Sequence, residues 1–367
     1  TAALWLLLFR DGSGGGEGER ERGRGVSEPV AALVEELTVE ERVDQVLLLG
    51  FEGTDATAPF FDQVGSRQLG GALIAARNWL DADQGTLLAG ELRAVGLAGG
   101  RIPPLIVASQ EGGRYRSLAG LPPEQTELEI GDAGSIPGTE AWAADAAGAL
   151  RAAGIDLNLF PVADVATLDS PIADRAFSDD PAIAAQMTAA AVRGCRAGGT
   201  ACAALHFPGL GAASQDTNRG PATVSLDAAS LADRDLLAFR AAFAERVPAV
   251  VVSLAFYAAY DPVTPGALAE AVATDLLRDQ LRYDGVAITD DLGAGAVRSG
   301  HEVREAAVLA LGAGTDLVQV SSPADQAGVR EALIEAVANG RLAEGRLAEA
   351  AGRVLELKRA QGLLRLP

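Results

Sequence analysis

The sequence has few of the side chains that hold metal ions or form Schiff bases. It contains two histidines (His206 and His301), two cysteines (Cys195 and Cys202) and one lysine, Lys358. A zinc site with three or four His and Cys ligands would have to use the cysteines, and the spacings match no familiar zinc pattern. A Schiff-base lysine needs a buried pocket, whereas Lys358 belongs to a charged helical stretch near the C-terminus. The sequence therefore predicts chemistry that uses neither a metal nor another cofactor.

Positive charge is also scarce. The 367 residues include 30 Lys and Arg against 50 Asp and Glu, a formal net charge of −20. Such a field repels nucleic-acid phosphates and anionic lipid surfaces, so we expect no nucleic-acid partner. Aromatic residues make up only 5% of the chain, but 49% is hydrophobic, which is enough for a large aliphatic core. Length and composition fit one large α/β domain.

The N-terminal segment differs from the rest of the chain. Residues 2–9 (AALWLLLF) are apolar, and residues 11–27 are rich in Gly, Glu and Arg. A membrane-spanning helix needs about 20 apolar residues, so the first run is too short to cross a bilayer alone. We interpret residues 1–27 as the remnant of a membrane anchor and a flexible linker, with a disordered tail as the alternative. Residues 28–367 are then expected to form a single extracellular or cell-surface domain, and a monomer.

An extracellular location would place Cys195 and Cys202 in an oxidising compartment. Two interpretations stay open for this pair. The cysteines either close a short loop as a disulfide or remain two buried free thiols, because the sequence does not determine the direction of their side chains.

Short apolar runs recur along the chain and predict the fold. The runs are continuous rather than alternating, as expected of strands buried on both faces, and Ala-rich helical stretches separate most of them. Beyond Ser322 the pattern is helical only. This predicts a (β/α)8 TIM-type barrel with extra C-terminal helices; a doubly wound sheet is the alternative, although no G-x-G-x-x-G turn follows a strand. The eight runs are 46–51, 71–76, 104–109, 155–160, 201–207, 249–254, 285–290 and 315–321.

Two helix starts can be read with their physical cause. Thr38 and Glu41 form a capping-box pattern, in which each side chain satisfies a free amide of the other residue. Asp180 precedes Pro181, which is favourable at the first position of a helix, and predicts a helix over 182–193.

In a barrel of this type the active site forms at the carboxyl ends of the strands. Asp290 ends the seventh run, where a carboxylate is partly desolvated and can attack an anomeric carbon. Its alternative role is a helix cap, which suits Asp291 better. His206 ends the fifth run and opens a long Gly- and Pro-rich loop, 207–224, whereas His301 is predicted to be structural.

Six motifs follow one another along the chain, among them SQEGGR (109–114), LHFPGLG (205–211) and GVAITDDL (285–292). In this order they resemble family 3 glycoside hydrolases, specifically the bacterial β-N-acetylglucosaminidase type. The resemblance extends from Leu37 to the C-terminus and implies a (β/α)8 barrel that cleaves with retention of anomeric configuration. It implies that Asp290 forms a glycosyl-enzyme intermediate, and that a His paired with an Asp in the loop after strand five is the acid/base. The motifs are LTVEERVDQVLLLGFEGT (37–54), SQEGGR (109–114), DLNLFPVADV (156–165), DRAF-SDDP (174–181), LHFPGLG (205–211) and GVAITDDL (285–292).

The loop after strand five departs from the family pattern. Where the family has K-H-F-P-G-H-G-D-T and then D-S-H, this chain has LHFPGLGAA (205–213) and then Asp216-Thr217-Asn218. Asn218 thus replaces the acid/base His, and Leu205 replaces a sugar-binding Lys. An amide has no proton to give at neutral pH, so we expect a loss of about 10² to 10⁴-fold unless Asp216 protonates the leaving group.

The turn after strand three departs as well. Ser109 replaces the Asp that opens the family's D-Q-E-G-G turn, and an arginine after that turn is either lost at Ser117 or displaced to Arg116. With Asp290 and Asp216 as the predicted catalytic residues, the predicted substrate-binding positions are Arg175, His206, Ser109, Arg116, Leu205 and Asn218.

Two functions from different classes fit these residues. The first is a β-N-acetylhexosaminidase-like hydrolase with impaired or altered activity, acting on an N-acetylhexosamine-containing glycan or a cell-wall fragment. The second is a non-catalytic protein that retains the barrel and binds glycan, or acts as a scaffold, at the cell surface. Retention of Asp290 favours the hydrolase, whereas the joint loss of imidazole and ammonium groups favours the binding protein.

Overall fold

The computed structural model describes residues 26–366. The apolar segment at 2–9 and the linker as far as residue 25 lie outside the described residues, so the expected anchor stays a prediction. The first helix begins at Glu28, where the sequence predicts that the domain starts. Among the described residues, no helix is both long enough and apolar enough to span a membrane.

Seven of the eight predicted runs contain a parallel strand of one barrel, and the strand of the fourth run, 155–160, extends two residues beyond it to Val162. Every strand pairs with its neighbours in chain order, from β1 through to β7. The last strand, β8, pairs with β1, with Leu47 opposite Val318. A parallel bridge between Ile288 and Leu317 closes the ring between β7 and β8, which excludes the doubly wound alternative. The strands are β1 Leu47–Gly50, β2 Gly71–Leu73, β3 Leu105–Ala108, β4 Leu157–Val162, β5 Ala201–Phe207, β6 Ala249–Val252, β7 Val286–Thr289 and β8 Val318–Val320.

Helices lie between the strands and after the last one. A π-helical segment, Ala271–Gln280, connects β6 to β7, and a small three-stranded sheet (223–224, 256–257 and 261–265) stands beside the loops after β5 and β6. The C-terminal helix α13 packs against α1 through Val30, Val34 and Leu355. The α-helices are α1 Glu28–Glu36, α2 Val39–Gln45, α3 Phe60–Ser66, α4 Ala82–Leu97, α5 Glu127–Asp132, α6 Ile136–Ala152, α7 Pro181–Gly198, α8 Ala228–Asp233, α9 Asp235–Ala244, α10 Gly295–Arg298, α11 Val303–Ala313, α12 Pro323–Ala338 and α13 Glu344–Ala360.

Both predicted helix starts are confirmed. The Thr38 hydroxyl accepts a hydrogen bond from the Glu41 amide, and the Glu41 carboxylate accepts one from the Thr38 amide, at the start of α2. The Asp180 carboxylate accepts from the amides of Ala182 and Ile183 at the start of α7. These local signals need no tertiary contact, which explains why they can be read from the sequence.

A buried carboxylate holds β7 and β8 together at the end of the barrel where the strands begin. Asp316 has no solvent exposure. One of its oxygens accepts from Arg278 (2.6 Å) and from the Ala287 amide (3.0 Å), and the other from Arg346 (2.7 Å) and Arg353 (3.0 Å). Burial alone would raise the pKa of Asp316, but the three guanidinium groups lower it to about 2.

Replacing Asp316 with Asn is therefore expected to lower the free energy of unfolding by about 3 to 5 kcal/mol at pH 7, because it leaves buried guanidinium groups without their counter-charge. The pKa of Asp316 is lower in the folded protein than the ordinary value of 3.8, so its stabilising effect is present above about pH 4 and is lost as the pH falls towards 2. Urea denaturation between pH 7 and pH 2.5 measures this. The gap between wild type and variant should narrow by roughly 2 kcal/mol over that range.

The control for this prediction is Glu305→Gln, which breaks a half-exposed ion pair with Arg341. A pair of that kind contributes about 0 to 1 kcal/mol, so the control should unfold close to wild type. If the difference in free energy of unfolding between wild type and Asp316→Asn stays constant between pH 7 and 2.5, the charge of Asp316 does not stabilise the contact between β7 and β8.

The single lysine is placed differently from the prediction. Lys358 is fully buried rather than part of an exposed charged face, because α13 packs this side of the helix against α2. Its ammonium donates to Gln45 Oε1 (2.8 Å) and to the Leu69 carbonyl (2.7 Å), and burial lowers the pKa of Lys358 well below its ordinary value. Gln45 and Leu69 precede β1 and β2, so Lys358 lies at the opposite end of the barrel from the strand-end pocket.

The cysteine pair is buried and reduced. Cys195 on α7 and Cys202 on β5 are free thiols, which corresponds to the second of the two interpretations. Burial raises the pKa of Cys195 well above its usual range, and a hydrogen bond with Cys202 adds to this. The Cys195 thiol is therefore not activated as a nucleophile.

Candidate active site

A pocket opens at the end of the barrel where the strands finish. It encloses about 670 Å³ including the solvent at its opening. Each of the strands β2 to β8, or the loop that follows it, contributes to the walls. The lining residues are Leu73, Ile74, Ala75, Ser109, Glu111, Ser117, Leu159, Arg175, Leu205, His206, Leu210, Asp216, Thr217, Asn218, Val251, Asp290 and Gln319.

Asp290 directly follows β7 in this pocket. Its amide donates to the Val252 carbonyl at the end of β6 (3.1 Å), which fixes the backbone. Its Oδ1 accepts from the Asp291 amide (2.8 Å). Burial raises the pKa of Asp290 above its ordinary value, and His206 and Arg175 partly offset this shift. A half-buried carboxylate with positive charge nearby can act as a nucleophile.

The sequence pattern favours a helix-capping role for Asp291, but in the structure Asp291 does not cap a helix. Its Oδ1 accepts from the amides of Gly293 (3.0 Å) and Ser321 (3.2 Å), while the next helix, α10, begins only at Gly295. Asp291 thus organises the turn after β7 and joins it to the end of β8.

An ion pair forms one wall of the pocket. Arg175 Nε donates to Glu111 Oε2 and Arg175 Nη2 donates to Glu111 Oε1, both at 2.8 Å. This fork geometry orients the guanidinium plane. Burial opposes the charge on Arg175, but Glu111 more than compensates and raises the pKa of Arg175. Arg175 therefore stays charged next to Asp290.

His206 is held in one orientation by a hydrogen-bond acceptor on one side of the ring and a hydrogen-bond donor on the other. Its Nδ1 lies 2.7 Å from Asp164 Oδ2, and its Nε2 lies 3.3 Å from Arg175 Nη2. A carboxylate only accepts and a guanidinium only donates, so Nδ1 carries the hydrogen and Nε2 accepts. Asp164 also accepts from the amides of His206 and Leu210, and so ties β5 to the start of its loop.

The loop after β5 is folded over the pocket. Gly211 lies so close to β4 that a Cβ there would be 1.9 Å from the Val165 carbonyl oxygen, so only glycine fits. Further along, the amides of Gly295 and Ala296 donate to the carbonyls of Asn218 (3.2 Å) and Thr217 (2.9 Å). These contacts dock the tip of the loop on the start of α10.

Asp216 and Asn218 lie side by side at this tip. The Asn218 amide donates to Asp216 Oδ1 at 2.9 Å, and the Asn218 side-chain Nδ2 donates to the same oxygen at 3.1 Å. The side chain at position 218 thus has the contact with Asp216 that the resemblance implies for an Asp-His pair. It lacks a group that can transfer a proton.

Seven of the eight predicted site residues line this one pocket. Arg116 does not: its Nε donates to the Gly113 carbonyl (2.9 Å), and its side chain lines an outer cleft instead. Ser117 occupies the wall of the pocket, so the guanidinium at this turn is displaced outward. The seven that the pocket brings together are Asp290, Asp216, Arg175, His206, Ser109, Leu205 and Asn218.

Sequence reasoning places Glu111 and Asp164 after strands three and four, on the face where the site forms, but assigns them no role in it. Glu111 is the third residue of the SQEGGR motif, which was the available signal. Asp164 is the last residue but one of the DLNLFPVADV motif, and its partner His206 is 42 residues away. No local pattern shows that a carboxylate and an imidazole at this separation are in contact.

Within residues 26–366, no three His, Cys, Asp or Glu side chains are grouped so that they could hold a metal ion. His301 does not line the pocket. The chemistry available at the pocket is that of a carboxylate, a fixed imidazole and a charged guanidinium.

Comparisons with known proteins place this geometry in a family. The model of the glycosyl hydrolase family 3 N-terminal domain matches residues 38–357. A β-hexosaminidase of Stenotrophomonas maltophilia is 34% identical over 291 residues, which cover 76% of this chain and 84% of that protein. A second β-hexosaminidase, from Xanthomonas campestris, is 33% identical over 285 residues, or 76% of this chain and 85% of its own length.

Two solved structures are similar as well. A family 3 β-N-acetylglucosaminidase from Paenibacillus is 30% identical with a TM-score of 0.85; the match covers 90% of this chain but only 65% of that longer chain. A β-N-acetylhexosaminidase from Beutenbergia cavernae is 30% identical with a TM-score of 0.80, over 89% of this chain and 99% of its own.

The fold and the strand-end pocket define a (β/α)8-barrel glycoside hydrolase. Within this class, the match of residues 38–357 to the family 3 N-terminal domain identifies one family. The chain belongs to glycosyl hydrolase family 3.

Proposed function

We propose that this protein is a retaining β-N-acetylhexosaminidase with Asp290 as nucleophile and with weakened acid/base catalysis. The observation that carries the proposal is the convergence of Asp290, Arg175 and His206 on one strand-end pocket. Relatives described as β-hexosaminidases support the choice of substrate class.

The reaction has two steps. In the first, an oxygen of Asp290 bonds to the anomeric carbon while the bond from that carbon to the leaving-group oxygen breaks. In the second, water attacks the same carbon and releases Asp290, so the configuration is retained. Arg175 keeps positive charge next to Asp290, and the neutral His206, with its hydrogen on Nδ1, accepts a hydrogen bond from Arg175 in the same pocket.

Proton transfer is the weak part of this site. The first step needs an acid for a poor leaving group, and the second needs a base for water. Asn218 supplies neither, and Asp216 is the one carboxyl group that the described β5 loop brings to the pocket. Substrates whose leaving group needs no protonation are therefore the preferred ones.

The test is hydrolysis of 4-nitrophenyl β-N-acetylglucosaminide beside a panel of other activated aryl glycosides. We expect turnover of the N-acetylglucosaminide, and a rate that falls steeply as the leaving group becomes more basic. Turnover that survives Asp290→Ala would overturn the mechanism. Absence of hydrolysis, together with no heat of binding for N-acetylglucosamine, would overturn the substrate class.

A second function, glycan binding without turnover, is favoured by one observation. Asn218 occupies the acid/base position and both its amide and its side chain are engaged by Asp216. Binding of N-acetylglucosamine without hydrolysis of any aryl glycoside would support this alternative.

Location and assembly complete the proposal. The apolar segment at 2–9, followed by a Gly-rich linker, supports a cell-surface protein held by its N-terminus, acting as a monomer on N-acetylhexosamine-containing glycan or cell-wall fragments. Fractionation of cells producing the full chain, with sedimentation of the purified domain, tests both points.

A further inference from the structure

A second cavity lies on the same side of the barrel as the active pocket. It is formed by the segment after β3 and by helix α6, and encloses about 660 Å³ including open solvent. The residues that matter for its chemistry are Trp142, Arg116, Asp145, Glu124, Gln125 and Leu121.

The cavity is connected to the active pocket through the outer cleft. The outer cleft shares six lining residues with the active pocket: Ser109, Glu111, Ser117, Arg175, Asp216 and Asn218. It shares Arg116 with the second cavity. Arg116 is therefore the residue at which the outer cleft, itself continuous with the lining of the active pocket, adjoins the second cavity.

Trp142 gives the second cavity a rigid aromatic surface. Its ring is packed against Phe160 and Phe177, with centroid distances of 5.5 and 6.3 Å. The part of the ring that lines the cavity offers an apolar surface on which the face of a sugar ring can pack.

The polar groups around Trp142 fit the hydroxyl groups of a sugar. Carboxylates of Glu124 and Asp145 accept hydrogen bonds from hydroxyl groups, and Gln125 both donates and accepts. Arg116 donates to the carbonyls of Gly113 and Leu121, which holds its guanidinium group where the second cavity meets the outer cleft. Two exposed carboxylates disfavour an anionic ligand. An apolar ring face with hydroxyl groups at its edge matches this combination.

We propose that the second cavity is a distal saccharide subsite, which binds a sugar unit of an uncharged glycan while another unit of the same chain occupies the active pocket. The inference rests on the proposed function, because that function places the reacting sugar unit at Asp290. It adds that the substrate is an oligosaccharide long enough to pass the outer cleft, rather than a disaccharide.

The experiment is calorimetric titration of the Asp290→Asn protein with neutral N-acetylglucosamine oligosaccharides of two to six units. We expect affinity to rise by about 10-fold or more once the chain is long enough to reach Trp142. Asp145→Asn should lower the ratio of long-chain to disaccharide affinity by about 5- to 10-fold. Trp142→Leu keeps an apolar side chain against Phe160 and Phe177 but removes the aromatic surface, and should lower the same ratio.

The matched control is Asp132→Asn, an exposed carboxylate of α5 that lines neither cavity. It should leave the ratio as in the parent protein. Equal affinity for all chain lengths would overturn the distal subsite, even where aryl glycoside hydrolysis by wild type upholds the proposed function. Length-dependent binding without hydrolysis would uphold the subsite and overturn the hydrolase. Absence of binding at every length would overturn the subsite.

Discussion

Asp290→Asn is expected to lower kcat/KM for an activated aryl β-N-acetylglucosaminide by about 10⁴-fold or more. The carboxylate oxygen is the atom that bonds to the anomeric carbon, and an amide oxygen is a far weaker nucleophile. Asn has the same shape and can still accept the hydrogen bond from the Asp291 amide, so the loss is chemical rather than structural. Steady-state kinetics measures it, and the intact mass of protein quenched during turnover shows a glycosyl adduct in wild type only.

Asp291→Asn provides the matched control, because it removes the same charge one residue further along the chain. Asp291 accepts from the backbone amides of Gly293 and Ser321, and this places it in the turn rather than at the reacting carbon. We expect a loss of less than about 10-fold, since only a turn contact is weakened. If Asp290→Asn retains more than a tenth of wild-type activity with the fold intact, another group is the nucleophile.

Asn218→His is expected to raise kcat/KM for substrates with poor leaving groups by about 10² to 10⁴-fold. The Asn218 side chain already donates to Asp216 Oδ1 at 3.1 Å, so an imidazole at this position would have a carboxylate to orient it. The loop tip is docked through the backbone carbonyls of Thr217 and Asn218, which the substitution leaves in place. A series of aryl glycosides with leaving groups of increasing basicity measures the gain.

The control for this gain is Asn218→Gln, which alters the side chain without adding a group that titrates near neutral pH. Activated leaving groups should show little change with either variant, because they need no protonation. Adding Leu205→Lys to Asn218→His should lower KM further, as an ammonium group would enter the pocket that Leu205 lines. If Asn218→His does not raise kcat/KM for any leaving group in the series, the pocket has been rebuilt for another purpose.

The barrel was predictable because its signals are local and repeated. Each strand is a short apolar run, and all eight barrel strands fall on the eight predicted runs, with β4 extending two residues beyond its run. The starts of α2 and α7 were predictable for the same reason, since their capping side chains act within three residues. Lys358 shows where local reasoning fails. The charged residues around it indicate an exposed helix face, but α13 buries this position against α2.

The active site was predictable only in part. Asp290 stands at the end of a predicted strand, Arg175 and Asp216 stand in the loops after two others, and the pocket contains all three. The contact of Asp164 with His206 joins two strands, and the outward displacement of Arg116 depends on the path of the turn after β3. Neither feature has a sequence pattern, because each is decided by how separate segments pack.

The sequence by itself determined the class of fold, the order of the strands and the identity of the residues at their ends. It also determined the absence of an imidazole at position 218, since that is a matter of composition. Tertiary structure alone decided that Asp164 sets the tautomer of His206, that Asp316 closes the barrel through three arginines, and that Arg116 lies between the active pocket and Trp142. The physical reason is range: apolar periodicity and capping act over a few residues, whereas hydrogen bonds and burial at a barrel mouth join residues that only folding brings into contact.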